Sequence, residues 1–90
     1  MSLVFIPAVL RPAVGGAKSI ELDGATVGDL VTALLGRHPG LGGQLLTPEG
    51  ELNRFVNVYV NGQDVRYLDG LATPVEERDE VRLLPAMAGG

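Results

Sequence analysis

The stretch Phe-Val-Asn-Val-Tyr-Val-Asn-Gly, residues 55–62, gives the clearest structural signal in the chain. Successive side chains of a strand point to opposite faces, so the valines at 56, 58 and 60 would share one face. Phe55, Asn57 and Tyr59 would line the other face. The dipeptide Asn61-Gly62 is the strongest short-range signal for a tight hairpin. These residues therefore predict a strand that turns at once into a second strand over residues 63–67.

Three further strands are indicated elsewhere in the chain. Residues 3–10 are nearly all apolar, which is typical of a strand buried on at least one face, with Pro7 at a position that donates no ladder bond. Residues 18–22 alternate polar and apolar side chains, as in a half-buried strand. A loop over residues 11–16 would join these two strands into a hairpin. The last strand is expected at residues 80–84, after a charged turn.

Two helical segments are predicted between the strand pairs. The hydroxyl of Thr26 can cap a helix by accepting from the backbone of Asp29, whose carboxylate also favours the helix N-terminus. Apolar residues at 27, 30, 31, 34 and 35 then form the stripe of an amphipathic helix, which should end at Gly36 or at the His38-Pro39 step. Leucines at 41, 45 and 46 indicate a second, shorter helical turn.

This order of elements predicts an α+β fold of the β-grasp (ubiquitin-like) class. We expect a mixed sheet of about five strands, with one main helix and a short second helix, in which the first strand pairs in parallel with the last. One main helix cannot cover both faces of such a sheet, so one face should stay open. The domain would span residues 1–84, and residues 85–90 would form a flexible C-terminal arm.

Composition narrows the function classes. The chain has 90 residues, enough for one domain, with 46% hydrophobic and 20% charged residues, as in a packed globule. It has no cysteine, which excludes disulfides and thiolate-held metals. The net charge of −4 argues against nucleic-acid binding and fits docking on a basic partner surface. The sequence shows no signal peptide and no segment apolar enough to span a membrane, so we expect a cytoplasmic protein.

No residue of the predicted domain has the surroundings of a catalytic group, and we expect no catalytic residue, metal site or bound cofactor. His38 is the only histidine and lies at a helix end, where interaction with the helix dipole is the simpler role. Neither Ser2 nor Ser19 lies in a nucleophile motif. The acidic residues between 76 and 80 fit a solvated turn better than a docking patch. If the chain takes part in chemistry, its terminus must carry it.

The final residues, Pro85-Ala86-Met87-Ala88-Gly89-Gly90, fit that role. Glycine has no side chain to pack and the greatest backbone entropy, so Gly89 and Gly90 suit a thin arm whose chemical group is the α-carboxylate. Six extended residues reach about 20 Å, enough to enter a narrow site on another protein. A frayed tail or a cloning remnant is the alternative interpretation.

The pattern of elements and the diglycine ending resemble the ubiquitin-like sulfur carriers of the ThiS and MoaD type. The resemblance covers the whole chain, and within the family the sequence looks most like the actinobacterial carrier used in cysteine biosynthesis. The segments that carry it are residues 7–12 (PAVLRP), 54–61 (RFVNVYVN), 64–66 (DVR), 70–73 (GLAT) and 84–90 (LPAMAGG). Many members have Gly-Asp before the last strand, where this chain has Arg78-Asp79.

The resemblance implies a carrier rather than an enzyme. An E1-like adenylating and sulfur-transferring enzyme would activate the Gly90 carboxylate with ATP, and a sulfur donor would leave a C-terminal thiocarboxylate. The sulfur would pass to a pyridoxal-phosphate-dependent cysteine synthase or another sulfur-accepting enzyme, with a metalloprotease releasing the cysteine in the first case. Gly89 would accompany Gly90 into the partner's active site.

The open sheet face is the expected docking surface, since clustered large apolar side chains on such a face usually mark an interface. The residues expected to contact partners are Phe5, Phe55, Tyr59, Leu84, Pro85, Ala86, Met87 and Ala88. Two other functions stay open at this point. The chain could be the small subunit of a molybdopterin-synthase-like enzyme, or a ubiquitin-fold interaction module that never carries sulfur.

Overall fold

A computed structural model describes residues 1–85 of the chain. Its strands are β1 (Ser2–Phe5), β2 (Ser19–Leu22), β3 (Val56–Val60), β4 (Gln63–Asp64) and β5 (Glu80–Pro85), and its α-helices are α1 (Val27–Arg37) and α2 (Gly42–Leu45). The five strands form one mixed sheet in the order β2-β1-β5-β3-β4. β1 runs parallel to β5, and the other neighbouring strands are antiparallel. The predicted β-grasp arrangement is therefore confirmed.

The first strand is shorter than the sequence predicts. It ends at Phe5, and a 3-10 helix spans Ala8–Val14, where we expected the strand to reach residue 10 and a loop to follow. The helical turn starts directly after Pro7, whose backbone is extended. Its buried side chains are Leu10 and Val14, so the apolar residues of this stretch pack into the core as a helical turn. A continuous apolar run does not by itself distinguish these two conformations.

The main helix begins as predicted. The backbone N–H of Asp29 donates to the Thr26 hydroxyl over 3.2 Å, and the Asp29 carboxylate accepts from the backbone N–H of Ala25 at the same distance. The first bond satisfies a donor that the helix N-terminus leaves free, and the second ties the residue before the cap to the first turn. The helix ends at Arg37, and His38 follows as its cap, with a backbone N–H that donates to the carbonyl of Leu34.

The second hairpin turns at Asn61-Gly62, with φ of 50° and 86° at these two residues. Positive φ at both central positions is what this tight turn requires, and Asn and Gly tolerate it best. The strand that follows is only two residues long, whereas we predicted one over residues 63–67. A 3-10 turn replaces its second half, because the Asp64 carboxylate accepts from the backbone N–H of Arg66 over 2.9 Å.

The core lies between α1 and one face of the sheet. On the helix, Val27, Leu30, Val31 and Leu34 are buried, and Val58 at the middle of β3 has no exposed surface. The opposite sheet face carries half-buried or exposed side chains, among them Leu3, Phe5, Asn57, Tyr59, Arg82 and Leu84. We call this surface the open face.

The last strand includes Pro85, which lies opposite Val56 of β3. The boundary that we predicted after residue 84 therefore lies within the last residues of β5. Because β5 is the central strand of the sheet, the chain leaves from the middle of one end of the sheet. We call this the exit end. The opposite end, with the 61–62 turn and residues 76–80, is the far end.

Candidate functional site

The expected sulfur-carrying residues Gly89 and Gly90, with Ala86, Met87 and Ala88 before them, lie outside the described residues. The structure fixes the point from which they start. Pro85 lies opposite Val56 at the end of β5, has no backbone N–H and restricts its own φ. The surface that surrounds Pro85 is therefore the part of the site that residues 1–85 form.

A row of side chains crosses the middle of the open face. The sheet register places Arg82 of β5 beside Phe5 of β1 on one side and beside Tyr59 of β3 on the other. The guanidinium carbon of Arg82 lies 4.2 Å from the centre of the Phe5 ring, within the range of a cation–π contact. The row thus presents a guanidinium stacked on Phe5, with Tyr59 on the other side of β5.

The next row toward the exit end is formed by Asn57 and Leu84, which lie opposite each other. Leu84 is 41% exposed, which is high for a leucine within a strand. Arg66 reaches this row from the turn after β4. Its guanidinium donates to the side-chain oxygen of Asn57 over 2.7 Å and to the backbone carbonyl of Asn53 over 2.8 Å. A second guanidinium therefore lies over the open face.

Phe55 lies in the turn before β3 and is 60% exposed. It separates two surface grooves at the exit end. The smaller groove, about 320 Å³, is lined mainly by apolar side chains and includes Val9 and Pro85. The larger, about 790 Å³, lies between the turn after α2 and Arg54, whose guanidinium carbon is 5.1 Å from the Phe55 ring centre. Phe55 therefore projects beside the point from which the terminal residues leave.

Four of the predicted contact residues, Phe5, Tyr59, Leu84 and Pro85, come together on or beside the open face, with Phe55 at its exit-end margin. Sequence reasoning missed Arg82 and Arg66. Strand alternation could have placed Arg82 on the face of Leu84, since the two are two residues apart in β5. No comparable signal existed for Arg66, because its position depends on the 3-10 turn that shortens β4.

The far end is built differently. The Asn61 amide donates to the Asp79 carboxylate over 2.9 Å, and the backbone N–H of Glu76 donates to the other oxygen of that carboxylate over 2.8 Å. These two hydrogen bonds lower the pKa of Asp79 below its usual value, and the bond from Asn61 has the larger effect. The nearby Arg78 charge lowers this pKa further. The buried Ser2 hydroxyl donates to the carbonyl of Glu76 over 2.9 Å. The polar groups of the far end are therefore satisfied by hydrogen bonds within the protein.

Other kinds of site are not evident among residues 1–85. In that part of the chain, no group of three or more His, Cys, Asp or Glu side chains is placed to hold a metal ion. Among the same residues, no helix is long and apolar enough to cross a membrane. His38 occupies the C-cap of α1, where its backbone N–H donates to the carbonyl of Leu34.

Comparison with known proteins assigns the chain to a family. The sequence matches the ThiS family over residues 4–90, a span that includes the terminal glycines. The chain belongs to the ThiS family. The sequence resemblance to ThiS-type carriers is thereby confirmed.

Two kinds of relative illustrate the relationship. Sulfur carrier protein CysO of Mycobacterium tuberculosis is 46% identical over 89 residues, covering 97% of this chain and 96% of CysO. Small archaeal modifier protein 3 of Haloferax volcanii is 44% identical over 78 residues, covering 83% of this chain and 84% of that protein. These relatives are named as carriers and modifiers. The chain is accordingly a carrier-type protein rather than an enzyme.

A solved structure supports the same assignment and shows a complex. The CysO chain in the Amycolatopsis orientalis BexX/CysO complex matches this fold with a TM-score of 0.91 and 44% identity, over 100% of both chains. The ubiquitin-like β-grasp fold is therefore shared in full with a carrier that assembles with a second protein.

Proposed function

We propose that this protein carries sulfur as a thiocarboxylate on the α-carboxylate of Gly90. The observation that carries the proposal is the match to the ThiS family through residue 90, together with the 46% identity to a sulfur carrier. The domain supports this role in a simple way. It starts the terminal segment from a central strand and surrounds that point with exposed side chains, as a docking module would.

The chemistry proceeds in two balanced steps. An E1-like enzyme joins the carboxylate of Gly90 to AMP and releases pyrophosphate from ATP, because a free carboxylate is a poor electrophile. Hydrosulfide then attacks the acyl carbon and loses its proton, AMP leaves with the bonding electron pair, and a thiocarboxylate remains. Sulfur attacks in its anionic form, in which it is the better nucleophile. The carrier contributes the carboxylate and the surface that positions it.

We further propose that a client enzyme docks on the open face through Phe5, Tyr59 and Leu84, with Phe55 and Pro85 at the margin. Ala86, Met87 and Ala88 would line the partner's channel, and Gly89 would leave room at its narrowest point. Cysteine synthesis by a pyridoxal-phosphate enzyme, with release of cysteine by a metalloprotease, is the route that the CysO relationship favours. Another thio-metabolite enzyme is the alternative client. The cytoplasmic location stays a prediction.

The test is intact-mass spectrometry of the purified full chain. The protein is incubated with its E1-like enzyme, ATP and a sulfide source, and we expect the mass increase that corresponds to exchanging one oxygen for sulfur. Omission of ATP is the control and should leave the mass unchanged. A chain that binds the activating enzyme and forms the adenylate, yet never gains sulfur, would contradict the proposal.

Protein modification is a second candidate, favoured by the 44% identity to a small archaeal modifier protein. The same activated terminus would then react with an amine of a target protein, so that an amide replaces the acyl adenylate. The two functions differ in their product. A covalent adduct of this chain with another protein would support modification, whereas a free thiocarboxylate would support sulfur transport.

A further inference from the structure

The open face carries charged as well as apolar side chains. Arg82 and Arg66 share it with three carboxylate residues, Glu21, Asp64 and Glu80. The chain has a net charge of −4, from which the composition predicted a basic partner. The structure places Arg82 at the middle of the open face and Arg66 beside Asn57, nearer the exit end. At the far end, Glu77 and Asp23 lie within 4 Å of the N-terminal ammonium group. The net charge of the chain therefore does not reveal the two basic groups of the docking surface.

Arg82 is held on the open face with only one exposed ion pair within residues 1–85. Its side chain is 50% exposed, and its one carboxylate neighbour among the described residues, Glu80, lies 3.7 Å away. That separation is too long for a hydrogen bond, and an ion pair exposed to this extent contributes little. Stacking on Phe5 holds the guanidinium in place and leaves its N–H groups free to meet another acceptor.

Arg66 is also held in place by neutral groups. Its guanidinium donates to the Asn57 side chain and to the Asn53 carbonyl, which occupy two of the five N–H donors of an arginine. Within residues 1–85, no carboxylate lies close enough to form an ion pair with this guanidinium; the Asp64 carboxylate bonds the backbone N–H of Arg66. The Arg66 guanidinium lies over Asn57 of β3, whereas that of Arg82 lies over Phe5 of β1. The two charged groups therefore stand on opposite sides of β5.

We propose that the partner surface that docks on the open face presents carboxylates to Arg82 and Arg66, around an apolar centre that packs on Phe5, Tyr59 and Leu84. A guanidinium with free donors matches the planar, two-oxygen geometry of a carboxylate. Both guanidinium groups are already oriented, so less side-chain entropy is lost when the partner binds. The apolar side chains between them fit a protein surface better than a polyanion. This inference rests on the proposed function, since it specifies the chemistry of the partner's docking site.

The probe for the test is BexX of Amycolatopsis orientalis, which forms a complex with a CysO 44% identical to this chain. Binding to the full chain is measured by isothermal titration calorimetry, with that CysO as the positive control. We expect Arg82→Glu and Arg66→Glu each to weaken binding at least about tenfold, the usual consequence of disrupting a close charge pair in an interface. Raising the salt concentration should weaken the wild-type complex more than the Arg82→Glu complex.

The matched control is Arg78→Glu, which makes the same change in net charge at the far end. It should bind within about twofold of the wild type if position matters rather than total charge. Urea melts of each variant check the fold. If Arg66→Glu proves unstable, Arg82→Glu still provides the test, because the Arg82 side chain makes no hydrogen bond within residues 1–85. Equal binding of wild type, Arg82→Glu and Arg78→Glu would overturn the inference. So would a wild type that fails to bind BexX while the control CysO binds.

These outcomes separate the inference from the proposed function. A chain that gains sulfur normally, but whose BexX binding is unaffected by Arg82→Glu, disproves the acidic docking surface alone. A chain whose BexX binding depends on Arg82, but which never forms a thiocarboxylate, disproves the sulfur chemistry alone.

Discussion

The two ends of the sheet use polar groups in opposite ways. At the far end, the polar side chains of Asn61, Asp79 and Ser2 bond to the protein itself and close the 61–62 turn against residues 76–80. Toward the exit end, the Arg66 guanidinium is held by neutral acceptors alone among the described residues, and Phe55 and Leu84 stay exposed. Polar groups satisfied internally stabilise the fold, whereas unsatisfied charge beside exposed apolar surface is available to a partner. Mutations at the two ends should therefore have different consequences.

The largest effect is expected at the exit end. Deleting Gly90, or adding one residue after it, should abolish sulfur loading because the reactive carboxylate moves out of register with the activating site. The urea midpoint should stay within error of the wild type, since residue 90 follows the last strand. Intact-mass spectrometry after incubation with the E1-like enzyme, ATP and sulfide measures loading. Glu49→Gln, in an exposed turn, is the matched control and should load normally; loading of the truncated chain would refute the assignment.

Within β3, neighbouring residues should separate stability from binding. Val58 is fully buried, and Val58→Ala should lower the free energy of unfolding by about 1–3 kcal/mol through lost burial and a residual cavity. Tyr59 lies on the open face beside Arg82, so Tyr59→Ala should mainly weaken partner binding. Urea melts and calorimetric titrations measure the two quantities. A Tyr59→Ala protein as destabilised as Val58→Ala would show that the open face belongs to the core.

The sequence predicted the elements that local chemistry determines. The Thr26 cap, the apolar stripe of α1 and the Asn61-Gly62 turn all depend on residues within a few positions of one another. The parallel pairing of β1 with β5 followed from the order of elements, because it is the connection a β-grasp sheet requires. The strand faces followed from alternation, which placed Phe5, Tyr59 and Leu84 correctly on one surface.

The remainder depended on contacts that no local pattern encodes. The apolar run 3–10 fits a strand and a buried 3-10 turn equally well, and packing of Leu10 and Val14 into the core decides between them. Arg66 reaches the open face because Asp64 shortens β4 and because Asn53, thirteen positions away, accepts its hydrogen bond. Net charge has no spatial information, so it could not place Arg82 and Arg66 on the open face.

At the far end, Asn61 should have a moderate effect on stability. Its side chain donates to Asp79 and accepts from the backbone N–H of Glu80, and its φ of 50° suits Asn better than Ala. We expect Asn61→Ala to cost about 1 kcal/mol of unfolding free energy, since these hydrogen bonds are exposed. Asn61→Gly removes the same bonds but tolerates the φ, so the difference between the two variants in urea melts measures the backbone contribution. Loading and BexX binding should not change in either variant.

The smallest effect is a pH dependence at Asp79. Its pKa is lowered in the folded protein, from a usual value of 3.8, by hydrogen bonds from Asn61 and from the Glu76 backbone. A lowered folded pKa means that the charged form stabilises the fold, so the contribution is present above pH 3.8 and is lost as the pH falls through the folded pKa.

Asp79→Asn removes this contribution to stability, because the asparagine NH2 group cannot accept a hydrogen bond. The matched control is Asp69→Asn, since the Asp69 carboxylate accepts no hydrogen bond within residues 1–85. Urea melts at pH 6 and at pH 3 measure the difference in unfolding free energy between wild type and Asp79→Asn. We expect this difference to be smaller at pH 3. A difference that stays constant would mean that the charge of the Asp79 carboxylate does not stabilise the far end.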